Sequence, residues 1–569
     1  MNKRSKPGIE ISRGRFYGTL MFLGLCLALL VARAIDLQVL RKDFYQHQGD
    51  VRHVRQVPIP ASRGMILDRN GEPLAISTPV ESIWCNPREL LKAPERIHEL
   101  ARLLELDGDA LLQKLGQRSE REFVYIKRRV SPALAAQVSA LELPGVELQR
   151  EYRRFYPTGE VTAHVLGFTN IDDQGQEGLE LSFDEWLQGA AGSKRVIKDL
   201  HGRVIENVEM VDEPHPGRDL VTSIDRRLQY LAYRTLKGAV MEFQAQSGSA
   251  VVLDVTNGEV LAMVNQPSYN PNQRSSRYES MRNRAVTDFF EPGSVIKPFT
   301  VAAALESGQF TPASMVETSP GMHQVGTFTI RDARDFGTLD MAGILVQSSN
   351  VGASKLALSM DAQHLWDVYR RFGFGEVTGS GFPGESPGML PDHSRWREVE
   401  RSAVSRGYGM STTPLQLAQA YAVIANGGRI RAPTFVKGAA NPDNAVLDPA
   451  LAAQMVGMLE QVTAPDGTGH RAALANYRIA GKTGTSRKAS NAGYNNRYVA
   501  TFAGVAPASD PRVVVVVSVN DPATEEYYGG QIAAPAFRAI MDASLRLMDL
   551  PPDDLMDLRS QYLAGGGSR

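Results

Sequence analysis

The stretch Glu291-Pro292-Gly293-Ser294-Val295-Ile296-Lys297-Pro298-Phe299-Thr300-Val301-Ala302-Ala303-Ala304-Leu305-Glu306-Ser307-Gly308 decides how this chain is read. Pro292 and Gly293 mark a turn, and Pro298 to Leu305 reads as the apolar body of a helix that stops near Gly308. Ser294 then stands at the mouth of that helix, and Lys297 lies one turn on, on the same face and within reach of it. A serine hydroxyl is a poor nucleophile until a base takes its proton. An amine one turn away does this if burial or a second cation lowers its pKa toward neutrality. Alone, the same pair is a solvated serine and lysine on a helix surface, so the rest of the chain decides between the two readings.

Two more elements follow in order. Ser348-Ser349-Asn350 begins 54 residues after Ser294, in a helical region after a polar connection, and Lys482-Thr483-Gly484-Thr485 lies on a late strand. Ser-x-Asn carries little information by itself, since Ser268 to Asn270 and Ser518 to Asn520 also match; those read as a loop and a strand end. Lys-Thr-Gly occurs once, and a strand glycine alone can mark only a bulge or a close backbone approach. The information is in the three together, in this order, with the last on a strand able to flank the serine helix.

Around them the pattern is that of an α/β unit. Residues 249–255 and 259–265 are short strands joined at Thr256-Asn257-Gly258, a hairpin signal. Residues 478–485, 498–505 and 512–519 are late strands, the last with five consecutive valines, and a helix covers about 533–548. Two early and three late strands enclosing helices predict one antiparallel sheet whose halves meet in space. Residues 50–215 are more polar, with a helical pattern over 97–143, and a boundary falls at Glu213-Pro214-His215-Pro216-Gly217.

At 569 residues and 43% apolar content the chain can bury large cores, and about 100–200 residues per domain gives two to four domains. Lysine and arginine (62) balance aspartate and glutamate (63), so no nucleic-acid partner is expected. The two cysteines, Cys26 and Cys85, exclude a disulfide framework and a thiolate zinc site. Ten histidines with no i, i+4 pair around a glutamate give no support to a zinc hydrolase, and His164 reads as structural. Residues 16–32 carry no charge and as a helix rise about 25 Å, close to the roughly 30 Å of a bilayer core. Lys3, Arg4, Lys6, Arg13 and Arg15 precede them against Glu10 alone, which puts the N-terminus in the cytoplasm and everything after residue 40 outside. No small-x-small cleavage site follows, so an uncleaved single-pass anchor is expected.

With the three catalytic elements in place, the chain resembles the penicillin-binding protein and serine β-lactamase superfamily. Arg63-Gly64 to Asp68-Arg69-Asn70-Gly71, Tyr156-Pro157 to Gly167-Phe168, and Gly178-Leu179-Glu180 look like class B penicillin-binding protein segments. Gly407-Tyr408-Gly409, Thr413-Pro414-Leu415-Gln416-Leu417 and Tyr527-Tyr528-Gly529-Gly530 look like its division-specific, septal branch. The resemblance spans about residues 15 to 550. It implies an α+β fold: a transpeptidase domain with a five-stranded antiparallel sheet and helices on both sides, after an elongated, dimerisation-type pedestal and a single transmembrane helix. The expected divisions are a cytoplasmic tail 1–15, an anchor 16–38, the pedestal 39–217, the transpeptidase domain 218–552 and a flexible tail 553–569.

The resemblance also implies the chemistry. Ser294 attacks the carbonyl between the terminal D-alanines of a stem pentapeptide, and an amine of a neighbouring stem peptide resolves the acyl-enzyme. Lys297 is the base, kept partly neutral by burial and by Lys482; Ser348 relays a proton; Asn350 holds the substrate peptide and orients Lys297. Lys482, Thr483 and Thr485 bind the terminal carboxylate, Gly484 leaves room for the substrate, and the N–H groups of Ser294 and Thr485 form the oxyanion hole. No cofactor or metal is implied. Expected partners are stem pentapeptides, β-lactams that acylate Ser294, and a membrane glycan-strand polymerase with other division proteins, at the inner membrane with the catalytic domain in the periplasm. Two other readings share these residues: a D,D-carboxypeptidase or β-lactamase using water as acceptor, and a division-complex scaffold with little cross-linking activity. Arg331 to Asp335 reads as a solvated charge cluster near the cleft edge, Tyr408 as rim or core, and Tyr527-Tyr528 as an aromatic wall or a packed loop. Arg406 stands where the septal branch has an apolar residue, a departure that bears on access to the cleft.

Overall fold

The computed structural model describes residues 13–42, 54–198, 204–273, 278–490 and 493–554. Most of the expected cytoplasmic and C-terminal tails lies outside these residues. Helix α1 (Arg13–Ile35) continues as a π-helical turn over Asp36–Leu40. Together they form a 28-residue segment that contains an 18-residue stretch of mean hydropathy 2.2, none of it buried. At about 1.5 Å per residue it is longer than a bilayer core, which removes the shortfall of the 17-residue uncharged run.

Two compact units make up the chain. One comprises residues up to Ala61, Pro79–Tyr152 and Ala190–Pro216; the other comprises Ser62–Thr78, Arg153–Gly189 and the residues from Gly217 on. Compactness therefore divides the chain differently from the linear boundary expected at 217/218. In the first unit, strands Val54–Ile59 and Val204–Asp212 flank Gly192–Lys198 in an antiparallel sheet. Helices Pro94–Leu103 and Gly108–Gly116 bury Ile97, Leu100, Leu111 and Leu115 in a core with Ile83, Cys85 and Val124. The helical reading of 97–143 is corrected here, because Val124–Val130 is a strand paired with residues 81–85. Val124, Ile126 and Val130 are buried with less buried residues between them, a period-two pattern of β-branched residues obscured by the leucine-rich helices on either side.

The second unit holds strands β1 (Ser247–Asp254), β2 (Val260–Gln266), β3 (Ala480–Ser490), β4 (Gly493–Ala506) and β5 (Val513–Asn520). Their order is β2-β1-β5-β4-β3, every neighbouring pair antiparallel. The early hairpin and the late strands meet as expected: β1 pairs with β5, Val252 opposite Val515. Among its helices are α2 (Arg226–Glu242), α3 (Lys297–Glu306), α4 (Met341–Val346), α5 (Asn350–Ser359), α6 (Pro414–Ala425) and α7 (Gly529–Leu547). The five valines show why both faces are covered. Val513, Val515 and Val517 share a core with Leu228 and Leu236 of α2 and Phe537 of α7. Val514 and Val516 share the opposite core with Phe299 of α3 and Leu417 of α6. All five valines are fully buried, each worth about 1.5–3 kcal/mol, and only a strand buried on both faces accommodates such a run.

Local chemistry sets α6. Thr413 caps it and Gln416 closes the reciprocal capping box, with Pro414 in the first turn, so the Thr-Pro-Leu-Gln segment is a helix start. Its Tyr421 hydroxyl donates to the Val295 carbonyl at 2.9 Å, tying α6 to the serine turn. The early segments belong to this unit for equally local reasons. Arg63 Nε and Arg154 Nε donate to the two oxygens of Glu180 at 2.7 and 2.6 Å, with all three side chains at most 2% exposed. Gln229 and Ser268 donate to the carbonyls of Val161 and Glu160, so the segment before His164 lies against α2 and the loop after β2.

Candidate active site

Gly293 adopts φ +59°, donates its N–H to the Gly407 carbonyl at 3.1 Å, and opens a 3-10 turn, Gly293–Ile296, that feeds α3. A Cβ on Gly407 would lie 2.3 Å from the Gly293 oxygen, so the Gly-Tyr-Gly segment is glycine at that point because two backbones touch. Ser294 is half-buried and Lys297 fully buried.

Lys297 Nζ donates to Ser348 O at 2.5 Å, Asn350 Oδ1 at 2.8 Å and Ser348 Oγ at 3.3 Å. None of these bonds goes to Ser294, so the direct contact expected from i, i+3 spacing is not made here. The turn is 3-10 at the serine and becomes α-helical at the lysine, and the amine is drawn to the stronger acceptors of the next segment. A neutral amine would give both N–H groups to the carbonyl and the amide oxygen and keep a lone pair for a proton. Asn350 Nδ2 donates to the Arg331 carbonyl at 2.9 Å, which orients the amide so that its oxygen faces the lysine.

Ser348 lies between α4 and α5 at φ +55°, a left-handed conformation rare for a serine and of the kind that clusters at functional sites. Its hydroxyl also accepts from Lys482 Nζ at 3.0 Å, so one serine bridges both lysines. Burial, followed by repulsion from Lys482, holds the Lys297 ammonium well below its ordinary pKa; Asp332 opposes this and Arg406 adds to it. Burial alone lowers Lys482 to about 7.

On β3, the Thr485 hydroxyl accepts from the Gly529 N–H at 2.9 Å, which leaves its own proton free for a ligand. Thr483 Oγ1 donates to Thr468 Oγ1 at 3.2 Å. The reason expected for Gly484 changes. A Cβ there would meet Val295 Cγ1 at 2.8 Å and the Pro292 oxygen at 3.1 Å, so the glycine lets β3 press against the serine turn.

Asp332 is the residue that sequence reasoning missed. Its carboxylate accepts from Ser349 Oγ at 2.6 Å and from the backbone N–H groups of Asn350 and Val351 at 2.5 and 3.1 Å. It therefore holds the start of α5 and is no solvated charge; nothing in the spacing of Arg331 to Asp335 signals this. Tyr408 is half-buried and meets Tyr494 edge-on at 5.4 Å, while Glu291 accepts from the Tyr494 hydroxyl at 3.0 Å and the Gly409 N–H at 2.8 Å. Tyr527 is half-buried and stacks on Tyr498 at 4.3 Å, while Tyr528 beside it is 52% exposed. His164 is buried with its Nε2 2.8 Å from the Ser280 carbonyl; burial lowers its pKa to about 4, so the ring is neutral and donates that bond. No cluster of three or more candidate metal ligands occurs among the described residues.

Comparison with known proteins identifies the family. Residues 248–542 match the penicillin binding protein transpeptidase domain, and residues 58–222 the penicillin-binding protein dimerisation domain. The chain is 46% identical over 539 residues to peptidoglycan D,D-transpeptidase FtsI of Escherichia coli (strain K12), covering 93% of this chain and 91% of that protein. It is 44% identical over 530 residues to a probable peptidoglycan D,D-transpeptidase, PbpC, of Pseudomonas aeruginosa, covering 92% and 94%. Among solved structures, the TP domain of penicillin-binding protein 3 from Burkholderia pseudomallei superimposes with a TM-score of 0.54 at 41% identity, covering 58% of this chain and 97% of that one. A chain with both family domains and this identity along nearly its whole length belongs to the class B penicillin-binding proteins, as an FtsI-like peptidoglycan D,D-transpeptidase.

Proposed function

We propose that this protein cross-links peptidoglycan stem peptides during septal wall synthesis through an acyl-enzyme on Ser294. The observation that carries the assignment of residues is the meeting of Lys297 and Lys482 on Ser348, beside the serine turn. Lys297, neutral through burial and the neighbouring cations, takes the Ser294 proton as Oγ attacks the carbonyl between the two terminal D-alanines. The C–N bond breaks, and Ser348 passes a proton to the departing D-alanine amine. An amine of a second stem peptide then attacks the ester, and Ser294 recovers its proton. Asn350 keeps one amide N–H for the donor peptide while its oxygen orients Lys297. Lys482, Thr483 and Thr485 bind the terminal carboxylate, and Gly484 allows the close approach of β3. That approach favours paired oxyanion donors from the N–H groups of Ser294 and Thr485, each worth about 3–4 kcal/mol.

The apolar helix Arg13–Leu40 anchors the chain, with Arg13 and Arg15 on the cytoplasmic side and the catalytic unit in the periplasm. The first compact unit and the anchor are then the surfaces for a glycan-strand polymerase and other division proteins. A strained amide resembling D-alanyl-D-alanine acylates the same serine, so β-lactams are suicide ligands. The test is labelling of the full chain with a fluorescent penicillin: wild type becomes covalently labelled and Ser294→Ala does not. Labelling that survives the substitution refutes the nucleophile. Labelling without cross-linking of pentapeptide strands, in the presence of a polymerase, favours the scaffold reading.

A further inference from the structure

We propose that Arg406 recognises a carboxylate on the acyl donor, on the residue that precedes the D-alanyl pair, which selects donors with a free acid at that position. The proposal rests on the reading of Ser294 to Thr485 given above. Strand β3 is the edge of its sheet, paired only with β4 among the described residues, so an extended donor can lie along its open side. With the terminal carboxylate near Lys482 to Thr485 and the chain antiparallel to β3, the preceding residues run toward Arg487.

Tyr408 stands at that end, where its ring meets Tyr494 edge-on at 5.4 Å and Tyr494 is paired with Ala489 of β3. Arg406 lies over the Tyr408 ring, Cζ 5.8 Å from its centroid, and its Nε donates to the Ser402 carbonyl at 3.0 Å. These two contacts hold the guanidinium plane and leave both terminal nitrogens unspent. The side chain belongs to a half-buried residue, and among the described residues no carboxylate lies within 4 Å of it. A partly desolvated guanidinium with a fixed fork and no ion pair, on which Asp332 acts only from beyond 4 Å, matches a carboxylate, and the donor is what passes it. A diamino-dicarboxylic acid residue with its second acid free is the class that fits; an amidated or monocarboxylic residue there lacks the group.

Benzylpenicillin and carboxybenzylpenicillin differ by one side-chain carboxylate and provide the probe. Acylation rates of both are measured on the full chain in detergent for wild type, Arg406→Leu and Arg406→Lys. The expected result is an about tenfold fall in the carboxybenzyl-to-benzyl rate ratio for Arg406→Leu, partly restored in Arg406→Lys. An equal fall in both rates, or an unchanged ratio, overturns the proposal and leaves Arg406 acting only through Lys297 or not at all. Wild type alone gives a second measurement that needs no variant: donor peptides with a free or an amidated third-residue carboxylate should differ in turnover, and equal turnover overturns the proposal. Loss of Ser294 labelling by benzylpenicillin in wild type would instead mark failure of the underlying site assignment.

Discussion

Lys297 can act as a base only in its neutral form, and the two largest influences that favour this form are burial and the Lys482 charge. Removing a like charge raises the pKa of the group it repels, and a base with a raised pKa needs a higher pH to be neutral. Lys482→Met should therefore move the acid limb of the acylation profile upward by about one pH unit, which is about a tenfold slower reaction on that limb. The readout is the penicillin acylation rate between pH 5 and 10, in which a lowered plateau alone reports the lost carboxylate contact. A limb that stays in place would refute the coupling. That the lysine needs burial or a second cation was legible in the sequence, because a serine and a solvated lysine on one helix do not by themselves make a base. The part played by Asp332 was not, since a carboxylate becomes a helix-start anchor only when the fold brings Ser349 and two free N–H groups to it.

At the level of elements, the serine turn is held from three sides: by Gly407, by β3 at Gly484 and by Tyr421 of α6. Gly407→Ala tests how tightly. The added methyl would lie 2.3 and 2.4 Å from Gly293 backbone atoms, at a φ of +78° that a side chain rarely tolerates, so the turn must shift. A displacement of about 1 Å at a nucleophile is enough for a roughly 100-fold loss, and penicillin acylation should fall by that order. Acylation at the wild-type rate would show that the turn tolerates the shift. The strands and most helices around the turn follow from alternation, capping residues and turn residues. The strand Val124–Val130 was hidden because its neighbours in sequence are helices and its pairing partners lie some 45 residues away.

For the molecule as a whole, the Arg63–Glu180–Arg154 group explains why early segments belong to the catalytic unit: one buried carboxylate joins residues 117 and 26 positions away from it. Glu180→Ala leaves the buried Arg154 without a counter-charge and Arg63 with Asp184 alone, which should cost about 3–5 kcal/mol and lower the unfolding midpoint of the full chain, followed by circular dichroism. An unchanged midpoint would show that the group contributes nothing to stability. The sequence by itself determined the residue types of the candidate site and their order, the apolar N-terminal helix and the strands of one antiparallel sheet, because charge, periodicity and turn chemistry act between neighbours in the chain. Only the tertiary structure decided that Lys482 and Lys297 share Ser348, that Gly484 makes room for the serine turn, and that Arg406 lies over Tyr408 with no ion pair among the described residues. Lys482 and Ser348 are 134 residues apart, and such contacts depend on strand order and on the path of the connections, which local pattern does not encode.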